Sequence, residues 1–203
     1  MLQANDLDEE LISIPHDFEI EITRLVTKNL AFTIDGIDRE DAEALAKMEE
    51  GFFLPSEQEV LDSFRFHEHT FSEQLRVAAR NLALVALVTR LHHWVSRLAR
   101  RLNNNRKQTS LGKELEFLNA ELGQDGPFPI EFFRELEHVR HSVIHADALP
   151  EWTDERGRKR CVAEKYRRGD WAVEIGAEEI VAAVDAAIRQ VSWYDEMLQA
   201  IGK

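Results

Sequence analysis

Apolar residues recur at intervals of three and four through most of the chain, while glycine and proline are sparse. That is the pattern of amphipathic helices. A first helix is expected through Ile20, Ile22, Leu25, Val26 and Leu30, although its β-branched residues leave a strand open. Asp35-Gly36 reads as a turn, and a short second helix covers 39–50 before Gly51. Pro55 and Ser56 open the next helix, with Glu59 completing a capping box. From Ser56 to about Leu102 nothing breaks the periodicity, so this is one long helix or two that meet near His67 to Ser72. In it, Leu82, Leu84, Val85, Val88 and Leu91 are expected to face the core. Asn103, Asn104 and Asn105 form a polar turn. A helix from Leu111 to Leu122 then closes at Gly123, and a loop follows with Pro127 and Pro129. Phe132 to about Ala146 is helical, with an apolar stripe of Phe132, Leu136, Val139 and Val143, and Pro150 ends that region. Between 161 and 175 the pattern changes to a small hairpin turning at Arg168, Gly169 and Asp170. A last helix after Gly176 carries Ile180, Val184, Ile188, Val191 and Met197.

The expected fold class is therefore all-α: an up-and-down bundle of four principal helices. To it are added an acidic N-terminal helical extension over 1–69, packed on a helical domain over 70–203, and a small β-hairpin insert before the last helix. A chain of 203 residues, 44% hydrophobic, buries roughly 70% of its unfolded surface and needs no staple. The longest uncharged run of the apolar helix is Asn81 to Thr89, nine residues, against about 20 for a membrane span. Residues 1–6 show neither a basic start nor an apolar stretch, so no secretory signal and a cytoplasmic location are expected. The single Cys161 excludes an intramolecular disulfide and a multi-cysteine zinc site, and its place in a strand suggests a buried thiol.

Charge changes this picture. The net charge of −13 argues against nucleic acid, but it is unevenly spread. Residues 1–75 carry 19 acidic and 5 basic side chains, whereas 76–203 carry 19 and 20. Between Glu73 and Glu114 there are nine basic residues and no acidic one. On a helical projection Arg76, Arg80, Arg90, Arg97 and Arg101 fall within about 100° of arc. Such a stripe suits a phosphate backbone, or pairs with the acidic third of the chain. A second basic segment holds Arg156, Arg158, Lys159, Arg160, Lys165, Arg167 and Arg168. Trp152, in the loop after the third cluster of histidines, could stack on a base.

Histidine exchanges protons near neutral pH. Six of the eight fall in clusters, His67 with His69, His92 with His93, and His141 with His145, the last extended by His138. Taking Phe132 as zero, His138, His141 and His145 lie between about 180° and 240° and the apolar stripe between about −20° and 40°. Arg140, at about 80°, sits at the flank. A basic, imidazole-rich edge suits acid–base work on a phosphate, with a plain solvated face as the alternative. His138, His141 and His145, with Asp147 or His92, could also ligate a metal, but no zinc pattern appears and no metal site is expected. A phosphate-binding glycine loop is missing too.

The run Arg140-His141-Ser142-Val143-Ile144-His145 has an arginine, a polar residue directly after it, and a histidine five places on. On the third helix of a bundle this resembles the signature of HEPN domains (higher eukaryotes and prokaryotes nucleotide-binding). The long helix and the helix–loop–insert–helix order are similar as well, so the resemblance covers about residues 70–200. It implies a metal-independent endoribonuclease without cofactors, often a toxin or defence component, or a non-catalytic RNA- or protein-binding relative. Active members are homodimers that bring two motifs together. The resemblance casts His145 as the proton-transfer group in attack of a ribose 2′-hydroxyl on the adjacent phosphodiester. It casts Arg140 as the stabiliser of phosphate charge, and His141 as the group that positions the substrate. Some toxins of the family have a tyrosine two residues after the histidine, modified by a partner nucleotidyltransferase. Asp147 stands there, so that route is not implied, while an antitoxin or regulatory protein of another kind stays open.

Overall fold

Neither glycine nor proline occurs between Ser56 and Leu102, and the segment resolves to a single helix, α1 (Gln58–Leu102), 45 residues long. At 1.5 Å per residue it runs about 67 Å. Three further helices follow: α2 (Leu111–Leu122), α3 (Ile130–His145) and α4 (Ala177–Ala200). The structure is a computed structural model that describes residues 18, 19, 22, 23, 26, 33–40, 42, 43, 58–169 and 172–202, with backbone alone over 58–71. The described chain is mostly helical. Helix α1 packs against each of the other three, and α2 also meets α3 and, over a smaller area, α4.

Burial on α1 follows the helical repeat through Leu84, Leu87, Leu91, Val95 and Leu98, all fully buried. These meet Leu111, Leu115 and Leu118 of α2, Phe133, Leu136 and Val139 of α3, and Ile180, Val191, Tyr194 and Leu198 of α4. Leu82 is 62% exposed, against expectation. Two residues before Leu84 is about 200° around the helix, so Leu82 belongs to the opposite side.

The N-terminal part shares this core. Phe18, Ile22 and Val26, four residues apart, are helical and fully buried, and Phe18 meets the Trp94 ring edge-on at 5.9 Å. The helical alternative thus holds at the described positions of the first element. Asp35 and Gly36 do not form the expected turn but lie inside a helical stretch over 33–40. The expected division at 69/70 falls within the unbroken α1. Most of the second expected helix, the Gly51 stop, the Ser56–Glu59 capping box, and His16, His67 and His69 as side chains lie outside the described residues.

Helix α2 ends where expected. Gly123 takes φ +66°, its N–H reaches the Ala120 carbonyl, and the Gln124 N–H reaches that of Asn119. This is the Schellman arrangement, which needs a left-handed residue and so favours glycine. Ahead of α4 the chain makes two small ladders where one hairpin was expected. Strands β1 (Glu151–Thr153) and β2 (Lys159–Cys161) pair antiparallel, as do β3 (Arg167–Arg168) and β4 (Ala172–Val173). The second ladder turns at Gly169, as read from the sequence. The first turns at Asp154 to Gly157: the Asp154 carboxylate accepts the Arg156 and Arg158 N–H groups, and Gly157 takes φ +73°. Cys161 consequently pairs with Glu151 at an edge and is exposed, not buried.

Candidate functional site

The buried face of α3 is Phe133, Leu136, Val139 and Ser142, with Phe132 and Val143 only partly covered. That face is wider than the stripe read in the sequence but centred on the same direction, with Phe133 and Ser142 at its two edges. On the other side of the helix His141 is half-buried, while His145, one turn on, is exposed. Ser142 organises the end of the helix. Its hydroxyl donates to the Leu149 carbonyl at 2.6 Å, and its own carbonyl accepts from the Ala146 and Ala148 N–H groups. The chain then reverses through two consecutive left-handed residues, Asp147 (φ 50°) and Ala148 (φ 56°). Aspartate tolerates that conformation, but alanine holds it at a cost of about 1–2 kcal/mol. The surroundings impose it: the Ala148 carbonyl accepts from Val173 of β4, and the Pro150 carbonyl from Val162 after β2.

This reversal delivers Trp152 onto the motif. Its ring stacks on His141 (centroids 5.4 Å apart, planes at 22°) and stands edge-on to His138 at 6.2 Å. The His141 and His145 rings are 4.8 Å apart. Trp152 Nε1 is buried without a hydrogen-bond partner. Partial burial and then the positive potentials of His145, Arg140 and His138 hold the His141 pKa below its usual value, against a weaker opposite pull from Glu137. The neutral imidazole is therefore favoured at position 141.

Arg140 leaves the same helix toward α1. Its Nε donates to Thr89 Oγ1 at 3.0 Å, and the Thr89 hydroxyl donates to the Val85 carbonyl at 2.7 Å. Among the described residues no carboxylate pairs with Arg140. Thus His138, His141, His145 and Trp152 come together at the C-terminal end of α3, and Arg140 leaves that same stretch of helix toward Thr89. Thr89 and Ser142 are additions that sequence reasoning missed. The one available signal for Ser142 was a small polar residue in helical register with Leu136 and Val139.

The arginines of α1 are placed differently. Arg76 pairs with Asp38 at 2.5 Å and lies 3.6 Å from Glu73. Arg80 is held by Glu73 (3.2 Å), Glu174 (3.3 Å) and the Ile175 carbonyl (3.0 Å). Arg101 pairs with the buried Asp195. Arg97 lies over the Trp94 ring at 4.7 Å, and Arg90 is exposed. In the β insert Arg158 and Arg160 share Asp154, Arg167 pairs with Glu151, Arg168 with Glu174, and Lys165 with Glu135. His92 donates through Nε2 to the Thr109 carbonyl at 2.7 Å, tying α1 to the start of α2 and away from the α3 histidines.

Among the described residues no group of three or more His, Cys, Asp or Glu is arranged to hold a metal ion, and no helix is long and apolar enough to cross a membrane. No protein-family model, curated protein or solved structure matches the chain.

Proposed function

We propose that this protein is a metal-independent endoribonuclease of the HEPN type. The observation that carries the reading is the His141 and His145 imidazoles 4.8 Å apart on the stretch of helix that also bears Arg140, whose Nε is held by a neutral hydroxyl and which pairs with no carboxylate among the described residues. A guanidinium anchored through Nε presents its terminal nitrogens as a fork toward phosphate oxygens. His145, open to solvent, is a proton-transfer group of the cleavage, in which a ribose 2′-hydroxyl attacks the adjacent phosphodiester. His141 helps to place the substrate, and Trp152 beside it offers a ring to a base. Of the α1 stripe, Arg76, Arg80 and Arg101 are engaged by carboxylates, which makes them poor contacts for RNA.

In this reading α1 to α4 form the up-and-down four-helix bundle of that family. Two copies associate as a homodimer that faces its Arg140–His145 motifs toward each other. The protein acts in the cytoplasm, requires no cofactor, and is held in check by an antitoxin or another regulatory protein. The deciding experiment incubates purified protein with end-labelled RNA in EDTA. Cleavage that persists in the chelator and vanishes in His145→Ala, with dimer mass and melting temperature kept, is the expected result. Cleavage only after metal is added overturns the metal-free chemistry. Retained binding of uncut RNA replaces the enzyme with a non-catalytic RNA-binding module.

A further inference from the structure

The two imidazoles of the motif are 4.8 Å apart yet sit in different surroundings. His141 is half-buried and covered on one face by the Trp152 indole, whereas His145 is exposed. Rings this close can serve the same reaction, and their different environments suit them to different parts in it. Every neighbour of His141 bears on its part. On α3 these are His138, Arg140 and His145, all cationic or able to become so, and Glu137, whose Oε1 already accepts the Leu111 N–H at 3.0 Å. From β1 comes the uncharged Trp152, and opposite it in the ladder lies Arg160, whose Nε is on Asp154. Burial and three potential cations act together against a proton on His141. Paired groups whose environments separate them in this way mark an acid and a base.

We infer that the pair divides the proton transfers of RNA cleavage: His141 is the base that takes the 2′-hydroxyl proton, and His145 is the acid that protonates the departing 5′-oxygen. Trp152 is the positioning residue that keeps these roles apart. The inference rests on the ribonuclease reading above and gives His141 a chemical step there. As the 2′-oxygen bonds to phosphorus, its proton passes to His141. The bond from phosphorus to the 5′-oxygen breaks, and that oxygen takes the proton held by His145. The products are a 2′,3′-cyclic phosphate and a 5′-hydroxyl end. Exchange with water then returns the proton from His141 to His145, so no other reactant is consumed.

Two substrates separate the roles: RNA, and a ribonucleoside 3′-(4-nitrophenyl phosphate), whose leaving group departs without a proton. His145→Ala should lose about 10²–10⁴-fold on RNA yet stay within about tenfold of wild type on the aryl ester, where no acid is needed. His141→Ala should lose heavily on both, and His141→Gln serves in its place should the alanine variant fold poorly. Trp152→Ala, with Trp152→Leu as its better-filled counterpart, should move the acid limb of the wild-type pH–rate profile upward. It should also raise the pH at which the His141 ring signals titrate by NMR. Rescue of His141→Ala by the aryl ester, equal losses for both histidines on both substrates, or an unmoved His141 titration in both Trp152 variants overturns the division while leaving a nuclease. A wild-type protein inert toward both substrates fells the ribonuclease reading itself.

Discussion

Three arginines of α1 and Arg140 of α3 are held in opposite ways. Arg76, Arg80 and Arg101 meet carboxylates from remote parts of the chain: Asp38, Glu174 and Asp195. Arg140 instead rests on the Thr89 hydroxyl, itself fixed to a backbone carbonyl. A carboxylate neutralises a guanidinium and occupies its donors, whereas a neutral acceptor orients it and leaves the charge unbalanced. The stripe on α1 therefore does a large part of its work inside the protein, joining the first segment, the β insert and α4 to the central helix. Arg140, at the end of α3, pairs with no carboxylate among the described residues. Helical spacing shows which side chains share a face, but it does not show which ones the rest of the fold has already engaged.

The largest effect expected from this contrast is on stability at Arg101. Asp195 is 1% exposed and also accepts a hydrogen bond from Gln199 Nε2. Removing one partner of a buried pair strands the other and costs about 3–5 kcal/mol. Arg101→Ala should accordingly unfold at clearly lower urea concentration, and any loss of RNA binding should follow the loss of fold. A change below about 1 kcal/mol would place this pair with ordinary surface pairs and return Arg101 to the candidates for a phosphate contact.

At the other pole the expected effect is on activity. Thr89→Val keeps the shape and removes the acceptor for Arg140 Nε. Cleavage should fall about tenfold, which is about 1.4 kcal/mol in the barrier. Stability should move by no more than the roughly 1 kcal/mol of a single hydrogen bond. Equal kcat/KM in the variant would show that Arg140 needs no anchor.

Neighbouring elements differ in how far the sequence revealed them. Gly123, Gly176 and the proline pattern fixed three helix boundaries to within a residue or two, because those signals act locally on the backbone. The first hairpin was missed although Asp154 and Gly157 carry its turn, because its strands are only three residues long, too short for their alternation of exposed and half-buried positions to stand out in the sequence. Leu82 and Cys161 were misplaced because composition was weighed over angular position and strand register. The clustering of His138, His141 and His145 was legible from helical spacing. Trp152 on His141 and Thr89 under Arg140 were not, since each depends on a loop or a helix more than ten residues away.

Acid titration gives a smaller test that compares two other sites. Burial alone would raise the Glu114 carboxyl, but hydrogen bonds from Arg106 and Thr109 outweigh it and leave the pKa below 4.5. Glu114 thus contributes stability that is present above the unfolded-state value and lost as pH falls through the lowered folded one. His141 acts at higher pH. Its folded pKa lies below 6.5, so the unfolded chain takes up that proton first, and stability declines as pH falls from 6.5 to the folded value and then levels off. Urea melts over this range should show a first decline that is absent in His141→Gln and a second, lower one that remains. A first decline of the same size in His141→Gln would assign it to another group.

The smallest effect concerns the acidic third of the chain. Deleting residues 1–50 would be a poor test of whether it shields the stripe, because Phe18, Ile22 and Val26 lie in the core. Losing even one large buried side chain costs about 2–5 kcal/mol. Asp38→Asn is the cleaner variant. Asp38 is 56% exposed, so its pair with Arg76 is a surface one worth about 0–1 kcal/mol, and the melting temperature should scarcely move. Arg76 would keep Glu73 at 3.6 Å and lose its nearest carboxylate. If the stripe meets RNA at this end, one more phosphate contact should steepen the dependence of log affinity on log salt by about 0.7 for a single strand. An unchanged slope in a folded Asp38→Asn protein would mean that Arg76 serves the fold alone, and that RNA, if it binds, does so nearer Arg90, Arg97 and the α3 site.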